Sequence, residues 1–241
     1  MAASDYGYYR SDGIQNSGTA LRQNGNAYIY NSAGQIYPRQ ITESFTAGSL
    51  SDGYTCYTCR SGYNGDRHKQ TWRNDKTYQG YYKGSEGSSM QSCGFFFPNS
   101  GSKMSVGSGN IIGFTVTHVK IQMNRAGGGY QSSTIEGHLR QGNLINSYKD
   151  GVFNRARYSD ISLNSAEYVF SWLGQGNTTI LEDRGGALCS FIQTFLNDSN
   201  MNSLCLHNTE TNVGSSGEWS NNYGSCTSFQ ILVEGTRTVQ L

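Results

Sequence analysis

The chain has 241 residues, among them 31 Gly, 17 Tyr and only 2 Pro, with 15% charged residues and a formal net charge of +1. Its 18 basic and 17 acidic residues are spread along the sequence, which leaves no electrostatic footprint for nucleic acid or an anionic membrane. No run approaches the roughly 18 apolar residues that cross a bilayer, and the start Met-Ala-Ala-Ser-Asp-Tyr-Gly lacks the basic and apolar regions of a secretory leader, predicting synthesis in a cytoplasm without secretion or membrane insertion.

Residues 1–50 carry no long apolar run. Tyr28-Ile29-Tyr30 and Gln35-Ile36-Tyr37 flank the turn-forming Asn31-Ser32-Ala33-Gly34 and predict a hairpin. Gly7, Gly13, Gly18 and Gly25 cut the rest into pieces too short for a core of their own. Ordering each residue costs about 1–2 kcal/mol, so this segment is expected to gain order by packing on copies of itself or on a neighbour; the alternative is a flexible tail. It reads as an attachment or oligomerisation segment, with residues 51–241 as the main domain.

The stretch from Thr71 to Pro98 places Trp72, Tyr78, Tyr81 and Tyr82 before a turn containing Gly84 and Gly87, then delivers Phe95-Phe96-Phe97 closed by Pro98. That pattern predicts a strand, a loop and a buried strand. From Asn110 to Met123, Val119, Ile121 and Met123 alternate with polar residues, while Phe114 and Val116 alternate in the opposite phase. A strand spanning both needs a bulge near Thr117. Ser133 to Leu139 reads as a return strand, Asn143 to Arg157 as loop, and Ser162 to Leu173 as a strand from Glu167 onward, with Ser165-Ala166-Glu167 able to open a helix instead. Thr178 to Arg184, between Asn177 and Gly185-Gly186, has the cap chemistry of a short helix. Ala187 to Phe195, Ser203 to His207 and Thr227 to Glu234 read as strands. About eight short strands joined by Gly/Ser/Asn loops describe an all-β chain, an antiparallel jelly-roll-like β-sandwich with a small N-terminal β-hairpin segment.

Six cysteines make an even count, but without a leader the compartment argument favours buried or idle thiols. Cys56-Tyr-Thr-Cys59 has the spacing of half a zinc knuckle, yet no second tight pair follows; Cys93, His68 or Cys189 would have to be brought in by folding. No metal and no cofactor is expected. His68, His118, His138 and His207 are isolated in sequence, and no nucleophile elbow or metalloprotease wording occurs. Glu182-Asp183 and Asp198 stand beside turns, where carboxylates cap backbone amides; a glycosidase would need two carboxylates about 5 to 9 Å apart in a cleft. No enzymatic activity is predicted. Exposed aromatics are the better lead, because Tyr and Trp offer flat faces to sugar rings at low entropic cost. Trp219 and Tyr223 lie in Gly-Glu-Trp-Ser-Asn-Asn-Tyr-Gly and Tyr130 follows three glycines; these three are the candidate glycan or partner contacts, against the competing job of core or strand-edge packing.

Trp72-Arg73, Tyr78-Gln79-Gly80-Tyr81-Tyr82, Gly94-Phe95, the strand Val116 to Met123, the phrase Glu182-Asp-Arg-Gly-Gly-Ala-Leu and a closing strand Phe229 to Val233 follow one another in order. In that order and spacing the chain resembles a module at the C-terminal end of bacteriophage tail and tail-fibre proteins, over roughly Tyr57 to Thr236. The resemblance implies a virion structural module, a β-sandwich similar to carbohydrate-binding domains, presented on a tail or fibre as an oligomer. It also implies other virion proteins and a host-surface glycan as partners. The first 50 residues do not match, the four cysteines beyond Cys56 and Cys59 are not a family feature, and the loop from Arg125 to Asp150 is this chain's own. They leave the attachment point open; a Gly/Asn-rich, Tyr-studded N-terminus would suit interleaving of three chains about an axis. Two alternatives stand beside the tail fibre: a capsid decoration protein or head fibre of the same fold, and a free carbohydrate-binding domain.

Overall fold

The computed structural model describes residues 21–23, 26–30, 36–38, 40–51, 54–60, 77–83, 89–98, 104–125, 133–144, 161–207, 218–219 and 221–240. In chain order the elements are β1 (Leu21–Gln23), β2 (Asn26–Tyr30), β3 (Ile36–Pro38), β4 (Gln40–Ser49), β5 (Tyr54–Arg60), β6 (Thr77–Lys83), β7 (Ser89–Pro98), β8 (Asn110–Arg125), β9 (Ile135–Leu144), β10 (Ile161–Trp172), β11 (Thr178–Asp183), α1 (Ala187–Asn197), β12 (Ser203–His207), β13 (Glu218–Trp219) and β14 (Gly224–Gln240). The chain is all-β apart from this one described helix, which is too short to cross a membrane.

Two compact units divide it: a smaller one of Met1–Phe45, Val106–Thr115 and Gly235–Leu241, and a larger one of Thr46–Ser105 and Val116–Glu234. The sequence reading puts a single break at residue 50, whereas two later segments join the first 45 residues. The reason is strand length. β8 and β14 run for 16 and 17 residues, well past the five or six of an ordinary strand, and their outer ends belong to the smaller unit. There Phe45 meets Phe114 edge to face at 6.0 Å, and Arg237 donates to Glu43 and to the carbonyl of Val106. The expected hairpin is present as β2 against β3, with Tyr30 opposite Ile36, and β1 adds to its other edge.

The larger unit follows the strand order β10-β9-β12-β7-β6-β14-β8-β11, with β5 on β7 and β13 on β6. β6 belongs to two layers. Its residues Thr77 to Gln79 pair with Cys226 to Gly224 of β14, while Gly80 to Lys83 pair with Ser92 to Ser89 of β7. A strand that changes sheets in mid-course turns one bent sheet into a two-layer sandwich. The layers meet over Trp172, Phe229, Ile121, Met123 and Leu139, each essentially fully buried and each contributing about 1.5–3 kcal/mol by leaving water. Gly224 fits here because a Cβ would stand 2.6 Å from the Trp172 ring, and Gly137 because one would stand 2.2 Å from that of Phe170.

Three local readings are refined or corrected. In β8 the two apolar phases meet at His118 and Val119, consecutive residues that are both buried. In β10 the strand runs through the ambiguous Ser165-Ala166-Glu167, and the ambiguity is a register shift between Leu163 and Glu167, where Asn164 Oδ1 accepts the amide of Ala166. The assignments around Gly185-Gly186 are reversed. Thr178–Asp183 is a strand, antiparallel to β8, and Ala187–Asn197 is the helix. Leu188, Cys189, Phe191, Ile192 and Phe195 are buried, a 3.6-residue spacing that outweighs the strand reading. The glycine pair precedes the helix, and Asp183 caps it, accepting the amides of Gly186 and Cys189. Those bonds hold the Asp183 carboxyl below its usual range.

Candidate functional site

The strongest candidate site grows out of two polar side chains that a strand pattern would place in water. Gln79 on β6 is fully buried. Its Nε2 donates to the carbonyls of Glu136 and Asn222, both at 2.9 Å, and its Oε1 accepts the amide of His138 at 3.1 Å. Among the described residues β12 pairs with β9 along residues 139–142, and the Gln79 amide bonds the β9 backbone just beyond them, at Glu136 and His138. Arg125, at the end of β8, is 4% exposed. Among the described residues its guanidinium meets no carboxylate; it donates to the carbonyls of Ser133, Leu173 and Tyr223 at 2.8, 3.4 and 3.3 Å and lies 5.3 Å from the centre of the Trp172 ring. Burial lowers its pKa from the usual arginine value, and a group so basic stays charged.

Three of the carbonyls these two side chains hold, those of Ser133, Glu136 and Asn222, belong to residues lining an open cleft of about 630 Å³. One wall is Ser133 to Glu136 at the start of β9, another is Val169 to Ser171 on β10, and the third is Asn221 and Asn222 in the turn before β14. Gln79 ties the first wall to the third, and Arg125 ties Ser133 to Tyr223 just beyond it. Bracing from buried side chains preorganises a site. The volume lies in the range of small-ligand pockets, and the lining combines hydroxyls, amides and one carboxylate with Ile135, Phe170 and the half-exposed Val169 (49%).

A charged group adjoins the cleft on the outer face of β9. Glu136 Oε1 lies 2.9 Å from His138 Nε2 but out of line for a hydrogen bond; His138 Nδ1 bonds Glu167 at 2.7 Å, and Arg140 Nε lies 3.5 Å from the same carboxylate. His207, on β12, is 3% exposed. Burial first, then the charges of Arg140 and His138, hold its pKa down to about 4. A second group joins β14, β8 and β11: His118 sits between Glu234 at 2.6 Å and Glu182 at 3.0 Å, with Lys120 3.1 Å from Glu182.

His207 makes a pH dependence. Its folded pKa is depressed, so the unfolded chain takes up the proton first as pH falls; the stability is present above about pH 6.5 and is lost progressively down to about pH 4. Across that window the loss is expected to reach about 3 kcal/mol, read as a falling urea midpoint, and His207→Gln removes this part of the slope. The depressed carboxyls of Glu182 and Asp183 act in the same direction but below that window.

The sequence candidates distribute unevenly. Trp72 and Tyr130 lie outside the described residues. Trp219 is in β13, opposite Tyr82, two positions before the cleft turn. Tyr223 is 7% exposed and packs on Gly80, while its carbonyl serves Arg125. Tyr78, Tyr81 and Tyr82 take register opposite Ser225, Gln91 and Met90, and Phe95 stands between Tyr57 and Cys205. The Cys56-x-x-Cys59 pair falls within β5, with Cys56 opposite Phe96 and Cys59 opposite Cys93 in register. Cys189, Cys205 and Cys226 are buried. Among the described residues no group of three His, Cys, Asp or Glu is arranged to hold a metal ion. His118 and His138, isolated in sequence, are not isolated in space, because carboxylates reach them from neighbouring strands. In comparison with known proteins, no family model matches the chain and no curated protein matches it.

Proposed function

We propose that this chain is a structural protein of a bacteriophage virion, a tail fibre or comparable surface appendage, whose larger unit binds a host-surface glycan in the braced cleft. The observation that carries the reading is that the phrase on which the resemblance rests, Tyr78-Gln79-Gly80-Tyr81-Tyr82, is the strand that turns the sandwich corner and clamps the cleft walls through Gln79. A shallow opening lined by Ser, Thr and Asn beside a small apolar surface suits the hydroxyls and the apolar face of a sugar ring. Residues 1–50 are assigned to attachment and to a homotrimer, which places the cleft on a multivalent particle where weak sites add up.

The test has two arms. Mass spectrometry of purified virions is expected to find the chain, and light scattering of the purified protein a trimer; a monomer absent from virions abandons the virion reading. On a glycan array the protein is expected to retain a defined set of sugars, with retention lost on Asn221→Ala combined with Ser171→Ala. Sugar binding by a monomer with no particle would favour a free carbohydrate-binding domain.

A further inference from the structure

We infer that the cleft selects sugars carrying a free, protonated amine, and that Glu136 is the residue that selects them; this rests on the glycan reading above. Among the described residues lining the cleft, Glu136 is the charged one. Its side chain is 56% exposed, against 30% for Glu167 and 14% for His138 behind it. His138 Nε2 is near but not aligned to bond it, whereas Glu167 is engaged by both His138 Nδ1 and Arg140. Among the described residues two carboxylates therefore stand against one permanent cation, Arg140, and the less engaged of the two, Glu136, is the one that lines the cleft. Its backbone is fixed, because its carbonyl accepts from Gln79 Nε2 at 2.9 Å. Ser171 lies directly opposite it on β10 and supplies a hydroxyl beside the carboxylate. An ammonium on a sugar ring meets a charge-assisted acceptor there, stronger than one hydroxyl or acetamide contact, while an N-acetylated ring presents an amide that cannot carry the charge.

The experiment compares two oligosaccharides of equal length, β-linked 2-amino-2-deoxyglucose with free amines and its fully N-acetylated form, titrated calorimetrically into the full chain at about pH 6, below the ordinary amine range. The free-amine form is expected to bind at least about tenfold more tightly, with the preference shrinking as salt is raised. Glu136→Gln, an exposed substitution, is expected to bring the ratio to about one by weakening the free-amine form. If wild type binds both forms equally, or prefers the N-acetylated one, the selection by amine is overturned and the glycan cleft stands. A preference that survives Glu136→Gln also overturns it. If neither form binds, and the array is also blank, the glycan reading falls and takes this inference with it.

Discussion

Replacing Arg125 by Met is expected to lower the unfolding free energy by about 4 kcal/mol, because it keeps the buried stem and removes the donors from three backbone carbonyls. Each carbonyl left dry costs about 1–3 kcal/mol, and the three are coupled through one group, so the total falls short of their sum. The guanidinium reaches Ser133, Leu173 and Tyr223 from one plane, and an ammonium is a single point charge without that fork. Arg125→Lys is therefore expected to recover less than half of the loss. The measurement is the urea midpoint at constant m-value. A loss below about 1 kcal/mol for Arg125→Met would mean that water replaces the guanidinium without penalty, and the bracing argument for the cleft would lose one of its two members.

The strands were readable where one face is buried and one is wet. Phe229, Ile231 and Val233 are buried with Ser228, Gln230 and Leu232 half-buried between them, and the alternation says so. It failed at Ala187 because Cys189 and Ser190 are small residues that break no pattern, so the helical spacing of Leu188, Phe191, Ile192 and Phe195 had to compete with a run that also looks like strand. The cleft was harder still. Gln79 and Arg125 are polar letters in strands, and in a one-dimensional reading a polar letter means the solvent face. What decides otherwise is tertiary: among the described residues β12 pairs with β9 at residues 139–142, and Gln79 is inside because it bonds the β9 backbone at Glu136 and His138. That is a property of three strands far apart in sequence. The His–Glu pairs have the same origin, with partners at separations of 29, 64 and 116 residues, beyond any local motif.

The Tyr-Gln-Gly-Tyr-Tyr phrase is the exception, visible as wording before its job could be named. Each letter whose surroundings are described does something separate. Gln79 bonds the backbone of β9, and Gly80 lets the strand leave β14 for β7. A glycine at a sheet corner is required only when the backbone conformation or the space demands it, and the two demands can be weighed apart.

Gly80→Val is expected to cost about 4 kcal/mol and to leave little folded protein at 37 °C. Gly80 has φ +125, which side chains rarely adopt, and a Cβ there would stand 2.8 Å from the Cα of Tyr223. Because that neighbour is backbone, no rotamer change relieves the overlap; either the turn at Asn221 and Asn222 moves or the corner opens. The strained conformation accounts for about 1–3 kcal/mol and the overlap for a similar amount. Gly176 separates the two contributions, since it has φ +80 with nothing within 4 Å of an added Cβ. Gly176→Ala is expected to cost only about 1 kcal/mol, and Gly80→Ala at least about 3 kcal/mol. Equal costs at the two sites would show that Tyr223 yields freely. The third wall of the cleft would then be loose, and a sugar could not find it in place before binding.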